Sequence, residues 1–394
     1  MAFSFISTTY IPARALLIYW PMKVILHLTS DCNLRCRYCY APAKTAKNMS
    51  VATAKKAIDM ALELGERSAC VSYFGGEPLL HFDRIRELTA YALAQAKSLD
   101  KDMHFRMSTN GILFDQTSLA FCREHNILYA ISLDGDKLAH DAQRIFADGT
   151  GSYDALDAKL DMILEYNPHA VFTSVITPPT ASRLLSSVES MWSRGIRYFV
   201  MQPDYTHPDW GIEDLQRLED SYLDLAGFYL EKIRAGQAFH FSLFDDKIKS
   251  HAHSPFAPGK VCDFGAKKVS VAPDGHIFPC VQFVSDRPDA KDFCIGHVER
   301  GMDSRREHLV AKNQQPRAQC VDCALNGRCS NFCGCLNWQT TGSILKVPGL
   351  LCAHERMLIP IADEIGNELW AEKNKTFLHK HYKDYENRFP YAFD

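Results

Sequence analysis

The sequence lacks any long apolar run. No apolar stretch reaches the roughly 18 to 20 residues that a membrane-spanning helix requires, and the nearest one, Ile11–Trp20, contains Pro12 and Arg14. The opening segment also has no Lys or Arg before its apolar part and no clear small-residue cleavage site, which argues against a secretory signal. We therefore expect a cytoplasmic protein without a membrane partner.

A strong charge of one sign is absent as well. The 394 residues include 44 Lys or Arg and 47 Asp or Glu, for a formal net charge of −3. This balance gives no electrostatic reason to expect a nucleic-acid partner. No internal repeat or low-complexity tract is apparent, and the length suits a barrel with an appended domain.

Cysteine, by contrast, is abundant. The chain has 14 cysteines, most of them in short-spaced groups, and no sign of export. Cytosolic thiols stay reduced, so clustered cysteines there are more often metal ligands than disulfides. Metal binding is therefore the first expectation from composition.

Short apolar strands alternate with longer amphipathic helices from residue 22 to about residue 235, which predicts a parallel α/β sheet or barrel of six units. The predicted strands are Lys23–Thr29, Ala69–Phe74, His104–Thr109, Tyr129–Leu133, Ala170–Ile176 and Tyr198–Gln202. Helices are predicted at 51–64, 82–97, 115–125, 153–165, 180–194 and 212–235, the first with Ser50 as its N-cap.

The alternation is expected to stop at about residue 236, which divides the chain into segments. We predict an N-terminal extension over 1–21, the barrel over 22–235, a linker over 236–261, a loop-rich metal-binding domain over 262–352, and a C-terminal helix and tail over 353–394. Met22 is a candidate for the true start, because the strand pattern begins there.

The unusual motifs all follow predicted strands. A cysteine triplet follows the first strand, Gly75–Pro78 follows the second, and Ser108–Gly111 and Ser132–Gly135 end the third and fourth. In parallel barrels the loops at the C-terminal ends of strands carry the chemistry. These four segments are therefore expected to converge on one mouth.

The cysteine triplet is Cys32, Cys36 and Cys39, in a C-x3-C-x2-C arrangement. Thiolates are the usual ligands of iron-sulfur clusters, and three ligands leave one iron of a four-iron cluster open to a small chelating molecule. Such a site is catalytic rather than a closed electron-transfer centre. The alternatives are a three-cysteine zinc site with a distant fourth ligand and thiols that are merely neighbours.

The segment from Cys32 to Tyr40, Cys-Asn-Leu-Arg-Cys-Arg-Tyr-Cys-Tyr, resembles the signature of the radical S-adenosylmethionine (SAM) superfamily. The resemblance implies a partial (β/α)6 TIM-like barrel whose open iron binds the amino and carboxylate groups of SAM. It also implies reductive cleavage of SAM to a 5′-deoxyadenosyl radical, which abstracts a hydrogen atom from the substrate. A flavodoxin-like or ferredoxin-like protein is the electron donor that this activity implies.

The same resemblance assigns SAM contacts to the strand ends. Gly75, Gly76 and Glu77 are similar to the family's GGE motif, in which the glycines permit close backbone approach and the carboxylate accepts hydrogen bonds from the methionyl ammonium. Ser108 and Asn110, at the end of strand three, are further expected cofactor contacts.

Three other residues complete the expected SAM site. Ser132 and Arg144 have a spacing that resembles the family's ribose and carboxylate contacts, and the planar fork of arginine suits a carboxylate. Tyr38 is similar to the aromatic residue that family members place against adenine.

The later cysteines form a second group. Their seven-cysteine pattern, with Gly275 between the first two, is similar to that of the SPASM domain, which holds two auxiliary [4Fe-4S] clusters; a zinc ribbon is the alternative for the middle four. The resemblance assigns one cluster to Cys320, Cys323, Cys329 and Cys352, and the other to Cys262, Cys280 and Cys333.

The cluster assigned to Cys262, Cys280 and Cys333 is one ligand short. The preceding segment 254–261 has no cysteine, so either an iron is open to substrate or Cys335, Cys294 or a histidine closes the site. Because Cys335 lies only two residues from Cys333, we favour the open site.

SPASM proteins mostly oxidise or cross-link side chains of peptides or proteins, and their auxiliary clusters are expected to accept an electron from the substrate radical. We therefore expect a peptide or protein maturase; the alternatives are a formylglycine-forming sulfatase maturase, an enzyme for a small molecule, and a degenerate member used only for binding or electron transfer.

Proton transfer bears on the formylglycine alternative. Sulfatase maturases place an aspartate base after the second SPASM cysteine, where this chain has Val281, which cannot move a proton. Asp204 or His207 could supply a base, but no catalytic residue is assigned. Only 31 residues precede Cys32, so we expect no fused leader-binding domain; the barrel mouth, the SPASM surface or a separate leader-peptide-binding protein would recognise the substrate.

Overall fold

The computed structural model describes residues 21–41, 43–253 and 262–383. The predicted N-terminal extension, apart from residue 21, lies outside the described residues. So do the end of the predicted linker, 254–261, and the end of the tail, 384–394.

Six parallel strands form the first part of the fold. They are β1 Met22–His27, β2 Ser68–Phe74, β3 Asp102–Thr109, β4 Ile127–Ser132, β5 Val171–Ile176 and β6 Tyr198–Pro203. Each pairs in parallel with the next one in chain order. The predicted partial (β/α)6 barrel is confirmed, with strand ends that shift by one or two residues.

Helices connect these strands. They are α1 Val51–Leu64, α2 Phe82–Ser98, α3 Gln116–Glu124, α4 Lys137–Gln143, α5 Tyr153–Tyr166, α6 Leu184–Ser193 and α7 Ile212–Arg234. The Ser50 side chain caps α1 by accepting a hydrogen bond from the backbone N–H of Thr53, as predicted. The short helix α4 was not predicted; the Asp136 side chain caps it by accepting a hydrogen bond from the N–H of Ala139.

The alternation continues beyond residue 236, contrary to the sequence-based expectation. A seventh strand, β7 His240–Phe241, pairs in parallel with β6, and α8 Ser242–His253 follows it. A two-residue strand is too short to show a period in the sequence. Its position is instead set by buried aromatic packing, in which Phe239 and Phe244 join Phe241.

The later cysteine region extends the same sheet. Strand β8 Lys268–Val271 pairs in parallel with β1, and β9 His276–Phe278, β10 Gly296–His297 and β11 Gly301–Met302 follow in antiparallel order. The result is one 11-stranded sheet, and buried side chains from both halves belong to one hydrophobic cluster. The loop-rich second domain is therefore built onto the barrel rather than tethered beside it.

Four further helices complete the described chain. They are α9 Arg305–Asn313, α10 Gly334–Thr341, α11 Gly349–Ala371 and α12 Lys375–Leu378. Helix α11 packs against α7 and α8. The predicted boundary at residue 352 falls inside α11, so this helix belongs to both the cysteine region and the C-terminal segment. None of the described helices combines the length and the apolar character needed to cross a membrane.

A buried ion pair holds the end of the described chain against the barrel. Lys380 Nζ lies 2.6 Å from Asp245 Oδ1 in α8, and both side chains are fully buried. The Tyr229 hydroxyl donates to the same carboxylate at 2.6 Å, and the N–H of Phe241 donates to it at 2.7 Å. Burial acts to raise the pKa of Asp245, but Lys380 together with the neighbouring His240 and His381 holds it well below its usual range.

We expect Lys380→Met to lower the free energy of unfolding by about 3 to 5 kcal/mol, because it removes the buried cation that pairs with the Asp245 carboxylate. Urea unfolding under anaerobic conditions would measure the loss. Arg234→Met is the matched control: it also removes a cation, but one that pairs with Glu368 and Glu372 on the protein surface. Equal losses of unfolding free energy in the two variants would contradict a stabilising role for the buried Lys380–Asp245 pair, since exposed ion pairs contribute little.

Candidate active site

The loop that carries the first cysteine group is held by backbone hydrogen bonds. The N–H of Arg35 donates to the carbonyl of Ile145 at 2.7 Å, and the N–H of Arg37 donates to that of Gln143 at 2.9 Å. The segment after α4 therefore fixes the course of the cysteine loop, which leaves the C-terminal end of β1.

The three cysteines of this loop are free thiols, and they range from half-buried for Cys32 and Cys36 to exposed for Cys39. Polar donors approach them: Lys44 Nζ lies 3.1 Å from Cys39 Sγ, and the N–H of Leu34 lies 3.4 Å from Cys32 Sγ. Burial raises the pKa of Cys32 to about 11, so the bare loop holds a thiol there that must lose its proton to bind a metal. Three soft donors near solvent, with a cation beside one of them, fit an iron-sulfur cluster.

Glu77 joins the end of β2 to the end of β3. Its buried carboxylate accepts hydrogen bonds from the N–H of Leu79 at 3.0 Å, the hydroxyl of Thr109 at 2.7 Å and the N–H of Asn110 at 2.8 Å. Burial nevertheless raises the pKa of Glu77 to about 7. A cationic or hydrogen-bond-donating ligand beside it would therefore stabilise the ionised form.

The two glycines before Glu77 are required by close backbone packing within the protein. A Cβ on Gly76 would lie 1.9 Å from the carbonyl oxygen of Asp31, and one on Gly75, at φ +131°, would lie 2.4 Å from that of Thr29. The N–H of Gly76 donates to the carbonyl of Thr29 at 2.8 Å. The close approach seen in the structure is thus to the start of the cysteine loop, whereas the sequence suggested an approach to the ligand.

Asn110 connects β3 to the cysteine loop. Its Nδ2 donates to Asn33 Oδ1 at 2.7 Å and lies 3.9 Å from Cys32 Sγ. Ser108 and Ser132 are half-buried near the same ends of β3 and β4. The structure thus brings Glu77 and Asn110 to the cysteine loop, and it places the two serines at the same edge of the sheet.

Arg144 and Tyr38 share a partner that the sequence did not single out. Arg144 donates from Nε and Nη2 to the two oxygens of Asp134, both at 3.0 Å, and the Tyr38 hydroxyl donates to the same carboxylate at 2.6 Å. The guanidinium also lies over the Tyr38 ring, 5.3 Å from its centroid. Arg144 is the residue expected to bind the SAM carboxylate, and two of its N–H groups, at Nε and Nη2, are therefore already bound to Asp134.

Asp134 is the residue that the sequence analysis missed. Its carboxylate is buried and also accepts the N–H of Val175 at 3.0 Å, so it links β4, β5, Arg144 and Tyr38. The sequence did offer a signal: Asp134 is an acidic residue just after a barrel strand, between Ser132 and Arg144, which were both expected to contact SAM.

The cysteines of the second group form two separate sets. Cys320, Cys323, Cys329 and Cys352 all line one small, partly open cavity of about 30 Å³. This matches the grouping that the sequence resemblance implies for one auxiliary cluster, and four soft thiols around one cavity suit such a group.

In the other set, Cys335 Sγ lies 3.3 Å from Cys280 Sγ and 3.5 Å from Cys333 Sγ. Cys262, Cys280 and Cys333 are all partly buried against the main hydrophobic cluster. Burial, followed by the charges of Cys333 and Cys280, raises the pKa of Cys262. Within the described ranges, no three Cys, His, Asp or Glu side chains have the arrangement that holds a single metal ion. A four-iron cluster is larger than one ion and holds its ligands farther apart.

Comparisons with known proteins agree with this geometry. Residues 26–181 match the sequence model of the Radical SAM superfamily. The chain is 21% identical over 330 residues to a cysteine-type anaerobic sulfatase-maturating enzyme of Clostridium novyi (strain NT), an alignment that covers 77% of this chain and 85% of that protein.

Solved structures extend the likeness to most of the fold. Native anSMEcpe with bound AdoMet and Cp18Cys peptide is similar with a TM-score of 0.74 at 17% identity, over 89% of this chain and 99% of that one. Streptococcus suis SuiB bound to the precursor peptide SuiA is similar with a TM-score of 0.55 at 17% identity, over 85% and 76% of the two chains. The solved structures show the fold, and the match over residues 26–181, which include the cysteine loop at the end of β1, shows that the chain contains a domain of the radical SAM superfamily, whose enzymes use SAM and a [4Fe-4S] cluster.

Proposed function

We propose that this enzyme abstracts a hydrogen atom from a side chain of a peptide or protein, and that the product is an oxidised or cross-linked side chain. The observation that carries the proposal is the meeting of Cys32, Asn110 and Glu77 at one edge of the parallel sheet. The cofactor, when bound, supplies a 5′-deoxyadenosyl radical from SAM.

The chain's own residues would bind and orient SAM. Cys32, Cys36 and Cys39 would hold the cluster, and Glu77 would accept hydrogen bonds from the methionyl amino group with the lone pairs left by its three protein donors. Asp134 fixes Arg144, so only the Nη1 side of that guanidinium would be available to the SAM carboxylate. Ser108 and Ser132 would serve the ribose side.

The later cysteines would hold two auxiliary clusters in this proposal. Cys320, Cys323, Cys329 and Cys352 share one cavity, which supports the first set. Cys262, Cys280 and Cys333 would form the second set. A flavodoxin-like or ferredoxin-like donor would reduce the enzyme, and a separate protein could present a leader peptide.

A peptide substrate is supported by the likeness to anSMEcpe and SuiB, whose structures contain peptides. The formylglycine alternative is favoured by the similarity to a sulfatase-maturating enzyme. Against it, Val281, in the short turn Val281–Phe283 after Cys280, offers no proton acceptor. Asp204 does not replace it readily, because its carboxylate accepts hydrogen bonds from the N–H and hydroxyl of Thr206 in a local turn.

Glu77→Gln is expected to weaken SAM binding at pH 7.5 by at least about tenfold, because the amide has one acceptor fewer and turns a donor toward the N–H of Asn110. Equilibrium binding to the anaerobically reconstituted enzyme would measure the change. Glu87→Gln, the same change at an exposed position paired with Lys55, should leave the affinity unaltered. Wild-type affinity in Glu77→Gln with intact folding would exclude the assigned contact.

The raised pKa of Glu77 also predicts a pH dependence of stability. A carboxyl group with a pKa of about 7 when folded and 4.5 in its usual range binds more protons in the folded state. It therefore stabilises the fold below pH 4.5 and loses that contribution as the pH rises through 7, by about 3 kcal/mol in total. In urea unfolding of the cluster-free chain at pH 5 and pH 7.5, Glu77→Gln should lack this part of the decline; the same decline in both proteins would contradict the prediction.

The reaction itself can be tested with labelled substrates. Peptides encoded near the gene, deuterated at candidate side chains, should stimulate 5′-deoxyadenosine formation by the reconstituted enzyme, and the deuterium should appear in that product. The triple variant Cys32→Ala, Cys36→Ala, Cys39→Ala should keep about eight of about twelve irons and form no 5′-deoxyadenosine. Turnover that responds to a small molecule and to no peptide would point to the small-molecule alternative.

A further inference from the structure

The fourth ligand of the auxiliary site that contains Cys262, Cys280 and Cys333 can be identified from sulfur positions. Cys335 Sγ contacts two of these thiols, at 3.3 Å from Cys280 Sγ and 3.5 Å from Cys333 Sγ, so the three sulfurs converge on one place and would separate to bind different irons. Its side chain is buried, with 4% of the residue exposed. The sequence favoured an open site because only one residue separates Cys333 from Cys335.

The backbone explains why that short spacing is no obstacle. Cys333 is the N-cap of α10 and has a non-helical conformation, with φ −72° and ψ 88°, whereas Cys335 lies in the first turn of the helix. The change of backbone direction between them lets both side chains reach the same place.

The intervening glycine supports the same arrangement. Gly334 packs so closely that a Cβ would lie 2.3 Å from Asn313 Oδ1 and 2.8 Å from Phe264 Cε2. The helix start is therefore packed against these two residues on its glycine side, while the Cys335 thiol contacts those of Cys280 and Cys333.

The other candidates for the fourth ligand are placed elsewhere. The Cys294 thiol donates to the carbonyl oxygen of Gly296 at 3.3 Å. The histidines of the neighbouring hairpin are engaged with one residue: His276 Nδ1 lies 3.0 Å from the Asp274 carboxylate, and His297 Nε2 lies 2.9 Å from the Asp274 carbonyl.

We propose that Cys335 is the fourth protein ligand of the cluster held by Cys262, Cys280 and Cys333, so that no iron of this site is open to substrate. The inference rests on the proposed function, which includes two auxiliary clusters, and it specifies the ligands of one of them. A closed four-thiolate site transfers electrons and does not bind the peptide directly. The segment after the cysteine loop contacts the segment after Cys280, where the N–H of Ala43 donates to the Asp286 carboxylate at 2.7 Å.

The test uses the full chain with Cys32, Cys36 and Cys39 replaced by Ala, so that only auxiliary clusters remain. In this background we expect about eight irons and an electron paramagnetic resonance spectrum of the reduced protein that added imidazole or cyanide does not change. This measurement needs no substitution at Cys335. A response to either probe would show an open iron and overturn the proposal.

Substitution then locates the ligand. In the same background, Cys335→Ser and Cys335→Ala should change the spectrum of one cluster and make it responsive to imidazole, whereas Cys294→Ser should do neither. An unchanged spectrum and iron content in both Cys335 variants would overturn the assignment while the auxiliary clusters stand. A background protein with no iron would overturn the auxiliary clusters of the proposed function and this inference together.

Discussion

The parallel pairing of β8 with β1 is the constraint on which the two cysteine groups depend. Strand β1 is hydrogen-bonded on one side to β2 and on the other to β8, in a register that aligns Val24 with Val269 and Leu26 with Val271. The loop after β1 carries the first cysteine group, and β8 lies between the first two cysteines of the second group. One strand therefore fixes both groups in a common frame, and a shift in its register would misplace them together.

Within that frame, the shape of the first cysteine loop is determined by three neighbouring strand ends. The turn after β2 can approach it only because Gly75 and Gly76 have no side chains. Asn110 reaches it from the end of β3, and Asp134 reaches it from the end of β4 through Tyr38. Because a group of this kind needs its ligands held in place before it binds, these contacts have a positioning role whatever the substrate.

The sequence predicted the parts of this fold that are locally encoded. The six strands and the helices between them are long enough to show their period, and the cysteine spacings indicate metal ligands directly. The missed features depend on tertiary contacts: β7 is a two-residue strand positioned by buried aromatic rings, and Asp134 meets its partners Tyr38 and Val175 only in the folded chain. The position of the Cys335 thiol depends on a backbone turn at Cys333 that spacing alone does not reveal.

Helix α11 connects the cavity of the second cysteine group to the barrel mouth. It contributes Cys352 to the cavity, and His354 bonds Tyr205 at 2.7 Å through Nδ1 and Tyr222 at 2.8 Å through Nε2. Burial lowers the pKa of His354 to about 4, so the ring is neutral and has one donor and one acceptor. One of the two tyrosine hydroxyls therefore donates to the ring and the other accepts from it. Because Tyr205 lies in the loop after β6 and Tyr222 in α7, the helix that contributes Cys352 also fixes that loop at the barrel mouth.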